Sequence, residues 1–292
     1  MARTGVVGAG RVGAVLAAAL RGAGRDIVAV GGESVATRTR IETLLPGVPV
    51  LKPSAVARGC DLLLLAVPDD ALSNVVAMLS AAGAIHSGQY VVHTSGRHGV
   101  AVLAPAAEVG AHVAAMHPAM TFTGTDVDLA RLPGCVFGCT TADPSARRVV
   151  DRLVADLRGR SIWVDEQHRV LYHAALAHGA NHLVTLVSQV VDLLRVSGVD
   201  DSAATLRPLL QAALENALTY GDAGLTGPIV RGDVDTVRRH LAVLRETSME
   251  ALDSYVAMGR ATVQHAVLDG RLAPARAAAI AEVLDDARVR LS

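Results

Sequence analysis

The spacing of apolar residues divides the chain in two. Up to about Val164, short β-branched runs alternate with alanine-rich stretches of helical period. The runs are Gly5 to Val7, Ile27 to Val30, Leu62 to Val67, Tyr90 to His93, Val113 to Met116, Cys135 to Cys139 and Ser161 to Val164. Strands separated by helices predict a parallel sheet with helices on its faces. Leu62-Leu63-Leu64-Leu65-Ala66-Val67 has no polar position, the pattern of a central strand covered on both faces, and Pro68 ends it. Beyond Val164 the pattern is helical throughout, over about 168–196, 202–220, 233–259 and 274–290. Ser197-Gly198, Gly221 to Pro228 and Gly270 to Pro274 break it. The expectation is an α/β domain over 1–165 followed by an all-α domain over 166–292.

Composition narrows the class. The 292 residues are 51% apolar and 19% charged with net charge -1, as in a globular chain with substantial cores rather than a disordered one. Near-neutral charge without a basic run removes the footprint a nucleic-acid partner requires. Met1 to Gly8 has no secretory-signal pattern, so a folded start is expected. Val170 to Val191 lacks Asp, Glu, Lys and Arg, yet its three histidines, Asn181 and Gln189 argue for a helix buried against helices rather than a membrane span. Cys60, Cys135 and Cys139 form no CxxC pair, which suggests a reducing, cytoplasmic compartment. Of the 27 basic side chains, Lys52 alone is a lysine. Chemistry that needs a lysine elsewhere is closed to this protein.

Gly8-Ala9-Gly10-Arg11-Val12-Gly13 follows the first strand and opens a helix over Val12 to Leu20. In that context the first glycine makes the tight turn, the second admits a pyrophosphate to the backbone, and the third lets helix pack on strand. The helix N-terminus favours the negative charge. The second strand ends in Gly31-Gly32 with no carboxylate at its tip, although Glu33 follows and could reach a ribose hydroxyl. Ser34, Arg38 and Arg40 come next and suit a 2′-phosphate, so NADP is expected, with NAD possible. Val67, Pro68 and Thr94 are assigned to the same cofactor side.

An N-terminal Rossmann sheet followed by a helical half resembles the 6-phosphogluconate-dehydrogenase-like superfamily. That group includes ketopantoate reductases, pyrroline-5-carboxylate reductases, prephenate dehydrogenases and β-hydroxyacid dehydrogenases. His93-Thr94-Ser95-Gly96, His117-Pro118, Tyr172-His173-Ala174-Ala175 with Asn181, and Leu225-Thr226-Gly227-Pro228 with Arg231-Gly232-Asp233 resemble a subfamily of oxidoreductases whose C-terminal domain has no assigned function. The resemblance implies fold and cofactor more than substrate. β-Hydroxyacid dehydrogenases and ketopantoate reductases carry a lysine four residues before the helical asparagine; here that position is Ala177. Another group must move the proton.

Histidine is the natural substitute. His117 follows a strand on the carboxyl side of the sheet, where ligands of open α/β sheets bind, and is similar to the His-Pro segment of prephenate dehydrogenases. We expect His117 as the acid/base, oriented or assisted by Ser95. At 100° per residue, His178, Asn181, Thr185, Ser188, Gln189 and Asp192 fall on one arc of an otherwise apolar helix, a stripe that faces either a cleft or a dimer seam. Asn181 is assigned to the reacting oxygen and His178 to the substrate. His178 and His182 lie four apart without the glutamate or thiolate of a zinc site, so no metal is expected. Thr226, Arg231 and Asp233 offer a loop for a carboxylate, though Asp233 would also serve as a helix N-cap.

The function expected is reduction of a small carboxylate-bearing 2-oxo acid, ketopantoate-like, with NADPH. Alternatives are a cyclic imine of the pyrroline-5-carboxylate kind, or a regulatory NADP-binding protein without turnover. The apolar helices suggest a homodimer.

Overall fold

The structure is a computed structural model that describes residues 2–32 and 34–289. It forms two compact units, Met1–Ala180 and Asn181–Ser292. The first contains strands β1 (Thr4–Val7), β2 (Ile27–Gly31), β3 (Leu62–Leu65), β4 (Tyr90–His93), β5 (His112–Pro118), β6 (Val136–Thr140) and β7 (Arg160–Trp163). Between them lie α1 (Arg11–Gly22), α2 (Val35–Leu44), α3 (Pro53–Arg58), α4 (Asp69–Ala81), α5 (Ala104–Glu108), α6 (Val127–Arg131) and α7 (Pro144–Asp156). Helix α8 (Arg169–Val196) begins in this unit, and α9 (Ser202–Tyr220), α10 (Pro228–Arg231), α11 (Val234–Thr247), α12 (Met249–Leu268) and α13 (Pro274–Val289) follow.

The seven strands are ordered β2-β1-β3-β4-β5-β6-β7. The four leucines of β3 are all buried: Leu62 and Leu64 join the core on one face, Leu63 and Leu65 the core on the other. Alternation of side chains across a doubly covered strand requires this uniform apolarity. The chain leaves β1 toward β2, then returns to the other side of β1 as β3. That reversal opens a crevice at the carboxyl ends of β1 and β3, the place where ligands of such sheets bind.

The sheet is parallel except between β5 and β6, which pair antiparallel with His117 opposite Gly138. The all-parallel expectation is corrected there. Only the five-residue α6 separates these strands, and the chain turns back where a crossover would have required a longer helix.

In the second unit Ile229, Val237, Leu241, Leu252, Val256, Ile280 and Leu284 form the core of α10 to α13. The single helix expected over 233–259 is two helices. Ser248 adopts an extended backbone (φ -158°, ψ 110°), and its side chain accepts from the Ala251 N–H to start α12. No glycine or proline stands between Glu246 and Glu250 to mark the break, since capping is a property of one side chain. Helix α8 was expected to be buried, yet Val170, Leu171, Val184 and Val196 are exposed. Among the described residues no helix is long and apolar enough to cross a membrane.

Candidate active site

The turn after β1 is shaped by its glycines. Gly8 has φ +91°, and a Cβ there would lie 2.6 Å from the Ala66 carbonyl carbon; a Cβ on Gly13 would lie 2.3 Å from the Gly8 oxygen. These two positions let turn, helix and β3 close on one another. A Cβ on Gly10, in contrast, would meet no atom closer than 4.0 Å, so its missing side chain serves the open side of the turn. Helix α1 starts at Gly10 without a side-chain cap and without an acidic residue in its first turn. Its leading N–H groups therefore face outward with the positive end of the helix dipole, as an anionic pyrophosphate requires.

A cleft of about 400 Å³ adjoins this turn. Gly10, Arg11 and Val12 form one wall, Ala66 to Asp69 the next, and Thr94 to Gly96 with His117, Pro118 and His173 the end. The sequence-expected Gly10, Arg11, Val12, Val67, Pro68, Thr94, Ser95 and His117 thus meet at one place, with Gly8, Ala9 and Gly13 supporting the turn behind them. A larger cavity of about 580 Å³ in the second unit is nearly all apolar, lined by Leu186, Val190, Ile229, Val243, Tyr255 and Met258 among others. Size favours that cavity, but converging polar groups favour the cleft.

The end of the cleft is built by hydrogen bonds to backbone. His93 is fully buried: its Nε2 donates to the Gly99 carbonyl at 2.8 Å, and its Nδ1 accepts from the Ser95 N–H at 3.1 Å. Burial lowers its pKa to about 4, so the neutral ring that these two bonds require is the stable form. Arg169, also buried, donates to the carbonyls of Ser95, His98 and Gly138. Among the described residues no carboxylate pairs with it, so its charge stays at the floor of the site.

His117 sits at the centre. Its Nδ1 lies 3.1 Å from the Tyr172 hydroxyl, and its ring meets those of Tyr172 and His173 edge to face. Burial lowers its pKa to about 4, assisted by the positive charge of Arg169. The acid expected from sequence is therefore a neutral imidazole at neutral pH, able to offer an N–H but carrying no extra proton. Ser95 lines the same cleft, its Oγ accepting from the His98 N–H at 3.2 Å, and the hydroxyl that faces His117 Nδ1 is that of Tyr172. The sequence reading missed Tyr172 in this role, and Arg169 altogether. Arg169, Tyr172 and His173, three and four residues apart, occupy one helix face, a signal that spacing could have raised.

Elsewhere, the Ser34 hydroxyl is the N-cap of α2, accepting from the Thr37 N–H and donating to Thr37 Oγ1. Arg38 is exposed on α2, Arg40 donates to the Gly124 carbonyl at 3.0 Å, and Glu33 lies outside the described residues. His178 is exposed on α8 in the first unit. Asn181, Thr226, Arg231 and Asp233 belong to the second unit. There Asn181, Thr226 and Arg231 are exposed, and both Asp233 oxygens accept from Thr236, one from its N–H and one from its hydroxyl. Capping is a sufficient role for Asp233.

Residues 1–118 match the model of a Rossmann-like domain, and residues 135–262 match a domain of unknown function, DUF2520. The chain thus joins a Rossmann-like domain to a DUF2520 domain. No curated protein matches it. Similar solved structures include a candidate NADP oxidoreductase of Bacteroides fragilis, at 18% identity over 89% of this chain and 97% of the other, with TM-score 0.76. An imine reductase of Myxococcus stipitatus in complex with NADP+ is 16% identical over 90% and 94%, with TM-score 0.65. A pyrroline carboxylate reductase of Plasmodium falciparum with NADP bound is 14% identical over 100% and 98%, with TM-score 0.58. At these identities the likeness establishes the fold.

Proposed function

We propose that this protein is an NADP-dependent oxidoreductase that reduces a small, carboxylate-bearing 2-oxo acid. The observation that carries the proposal is the cleft that joins an uncapped glycine turn to the half-buried His117. The turn from Gly8 to Gly13 would hold the pyrophosphate, and Val67, Pro68 and Thr94 would border the nicotinamide side. Ser34 and Arg38 stand as contacts of the 2′-phosphate. When bound, the nicotinamide supplies a hydride. The chain's own residues bind, orient and protonate: His117 offers its N–H to the carbonyl oxygen, and the floor charge of Arg169 favours an anionic substrate. The same charge disfavours a cationic iminium, which places the cyclic imine second. Asn181, His178, Thr226 and Arg231 remain proposed substrate contacts.

We also propose a homodimer. Leu209, Leu214 and Leu218 of α9 are exposed along with Val184 and Val196 of α8, and apolar surface of this kind is covered by association.

The test is a fluorescence titration with NADPH and NADH, followed by turnover assays on 2-oxo acids and cyclic imines. Preferential NADPH binding and 2-oxo acid turnover are expected. Binding of neither nucleotide would remove the enzyme reading; turnover confined to cyclic imines would replace the substrate class.

A further inference from the structure

A neutral His117 poses a chemical problem. Reducing a carbonyl leaves an alkoxide that takes a proton, and a neutral imidazole that gives up its only N–H becomes an anion unless the other nitrogen is protonated in the same event. The protein has no lysine near the site to intervene, since Lys52 precedes α3. The group that faces the other nitrogen is the Tyr172 hydroxyl, 3.1 Å from Nδ1.

The tyrosine is held in place by a gap in the sheet. Gly138 lies opposite His117 in the β5–β6 pair, and a Cβ on it would come within 2.3 Å of the Tyr172 oxygen. Glycine at 138 therefore makes room for the hydroxyl on the face of the sheet. Two features favour negative charge on that oxygen: the Gly138 N–H, and the Arg169 guanidinium, whose central carbon lies 5.4 Å from the Tyr172 ring centre. A phenol is a stronger acid than a neutral imidazole N–H, so between the two the hydroxyl donates and Nδ1 accepts. His117 is then locked with its proton on Nε2, the nitrogen that a Cβ on Gly96 would approach to 2.9 Å at the cleft wall.

We propose that Tyr172 and His117 form a two-proton relay in which the phenol of Tyr172 is the source of the proton delivered to substrate. This depends on the reductase function proposed above. As the substrate carbon gains its hydride, the His117 Nε2–H bond breaks and an O–H bond forms on the substrate oxygen. In the same event the Tyr172 O–H bond breaks and an N–H bond forms on Nδ1. The imidazole stays neutral, and the negative charge ends on the Tyr172 oxygen beside Gly138 N–H and Arg169. Water returns the proton after release. Tyr172 is thus a positioning residue and proton reservoir, with His117 the group that touches substrate.

The charged and titratable groups around the pair fit this assignment. Arg169 and His173 on α8, His93 on β4 and Asp69 on α4 face His117; Arg169, Cys139 and Cys135 face Tyr172. Burial raises the Tyr172 pKa above 10, so the phenol is protonated and ready across the neutral range.

The experiment begins with nitrogen NMR of ¹⁵N-histidine-labelled protein, with His117 assigned through His117→Gln. The wild-type ring should show the Nε2–H tautomer, and Tyr172→Phe should shift it to a mixture. Tyr172→Phe should lower kcat about ten- to a hundredfold, leave KM and NADPH affinity unchanged, and remove one of two protons from the solvent isotope inventory. 3-Fluorotyrosine at position 172 preserves packing and acidifies the phenol, so it should move the alkaline limb of kcat to lower pH. An unmoved limb, or Tyr172→Phe with wild-type tautomer and kcat, overturns the relay. Full turnover in His117→Gln overturns the proposed site itself, a separate failure.

Discussion

The polar cluster at the end of the cleft and the helix α9 treat their side chains in opposite ways. At the cleft, His93 and Arg169 are buried and satisfied by named backbone groups, while His98 Nε2 in the same turn is buried without a partner. On α9 only Ser202 and Leu206 are buried, while Leu218 is 76% exposed. The first region pairs its buried His93 and Arg169 within the chain. The second presents apolar surface that solvent covers poorly, so its stability depends on what covers it.

Substitutions can break this contrast, beginning with the glycine turn. Gly8→Ala sets a Cβ against the Ala66 backbone at a positive φ. It should destabilise the protein by about 2–3 kcal/mol and weaken NADPH binding beyond detection, read by thermal melting and fluorescence titration. His117→Ala should lower kcat by about 10²- to 10⁴-fold with NADPH affinity intact, measured by steady-state kinetics and titration; undiminished kcat would remove His117 from the chemistry.

On the other side of the contrast, Leu214→Asp with Leu218→Asp should convert the proposed dimer to monomer in sedimentation, while sheet and cleft remain folded. If the wild type already sediments as a monomer, α9 is not an interface.

Acidification should sharpen the difference more gently. His93 has a folded pKa near 4, below its unfolded value near 6.5. Between those values the unfolded chain binds more protons, so stability rises with pH across that window and is lost as pH falls through it. His117 is lowered in the same direction. A drop of about 1–2 kcal/mol per histidine between pH 6.5 and 5 is expected, visible as a falling melting temperature whose slope is shallower in His117→Gln. The smallest effect is local: Ser248→Ala removes the α12 cap and should cost about 1 kcal/mol, without altering nucleotide binding.

Local chemistry announced much of this. Tyr90 to His93 is a strand with the bounds expected, and 202–220 is a helix with the bounds expected, because alternation and periodicity act over neighbours. The β5–β6 reversal and the Ser248 break were not legible. The first depends on which strand edge is free, and the second on one side chain's hydrogen bond.

The glycine turn could be read because its spacing encodes a backbone shape, and the place of His117 near the carboxyl end of a strand could be read from the pattern, while its role is a proposal. Spacing could place Tyr172 on one helix face with Arg169 and His173, but not against His117, which lies 55 residues away. Ser95 was the nearer candidate in sequence; it lines the same cleft and accepts from the His98 N–H. Amino-acid order alone determined where the chain turns sharply, which segments must be buried on both faces, and that Lys52 is the single lysine. Tertiary structure alone decided that His117 is neutral and which hydroxyl meets it. Burial and the approach of Arg169 and Tyr172 are properties of space, and a pKa answers to what surrounds a group rather than to what precedes it in the chain.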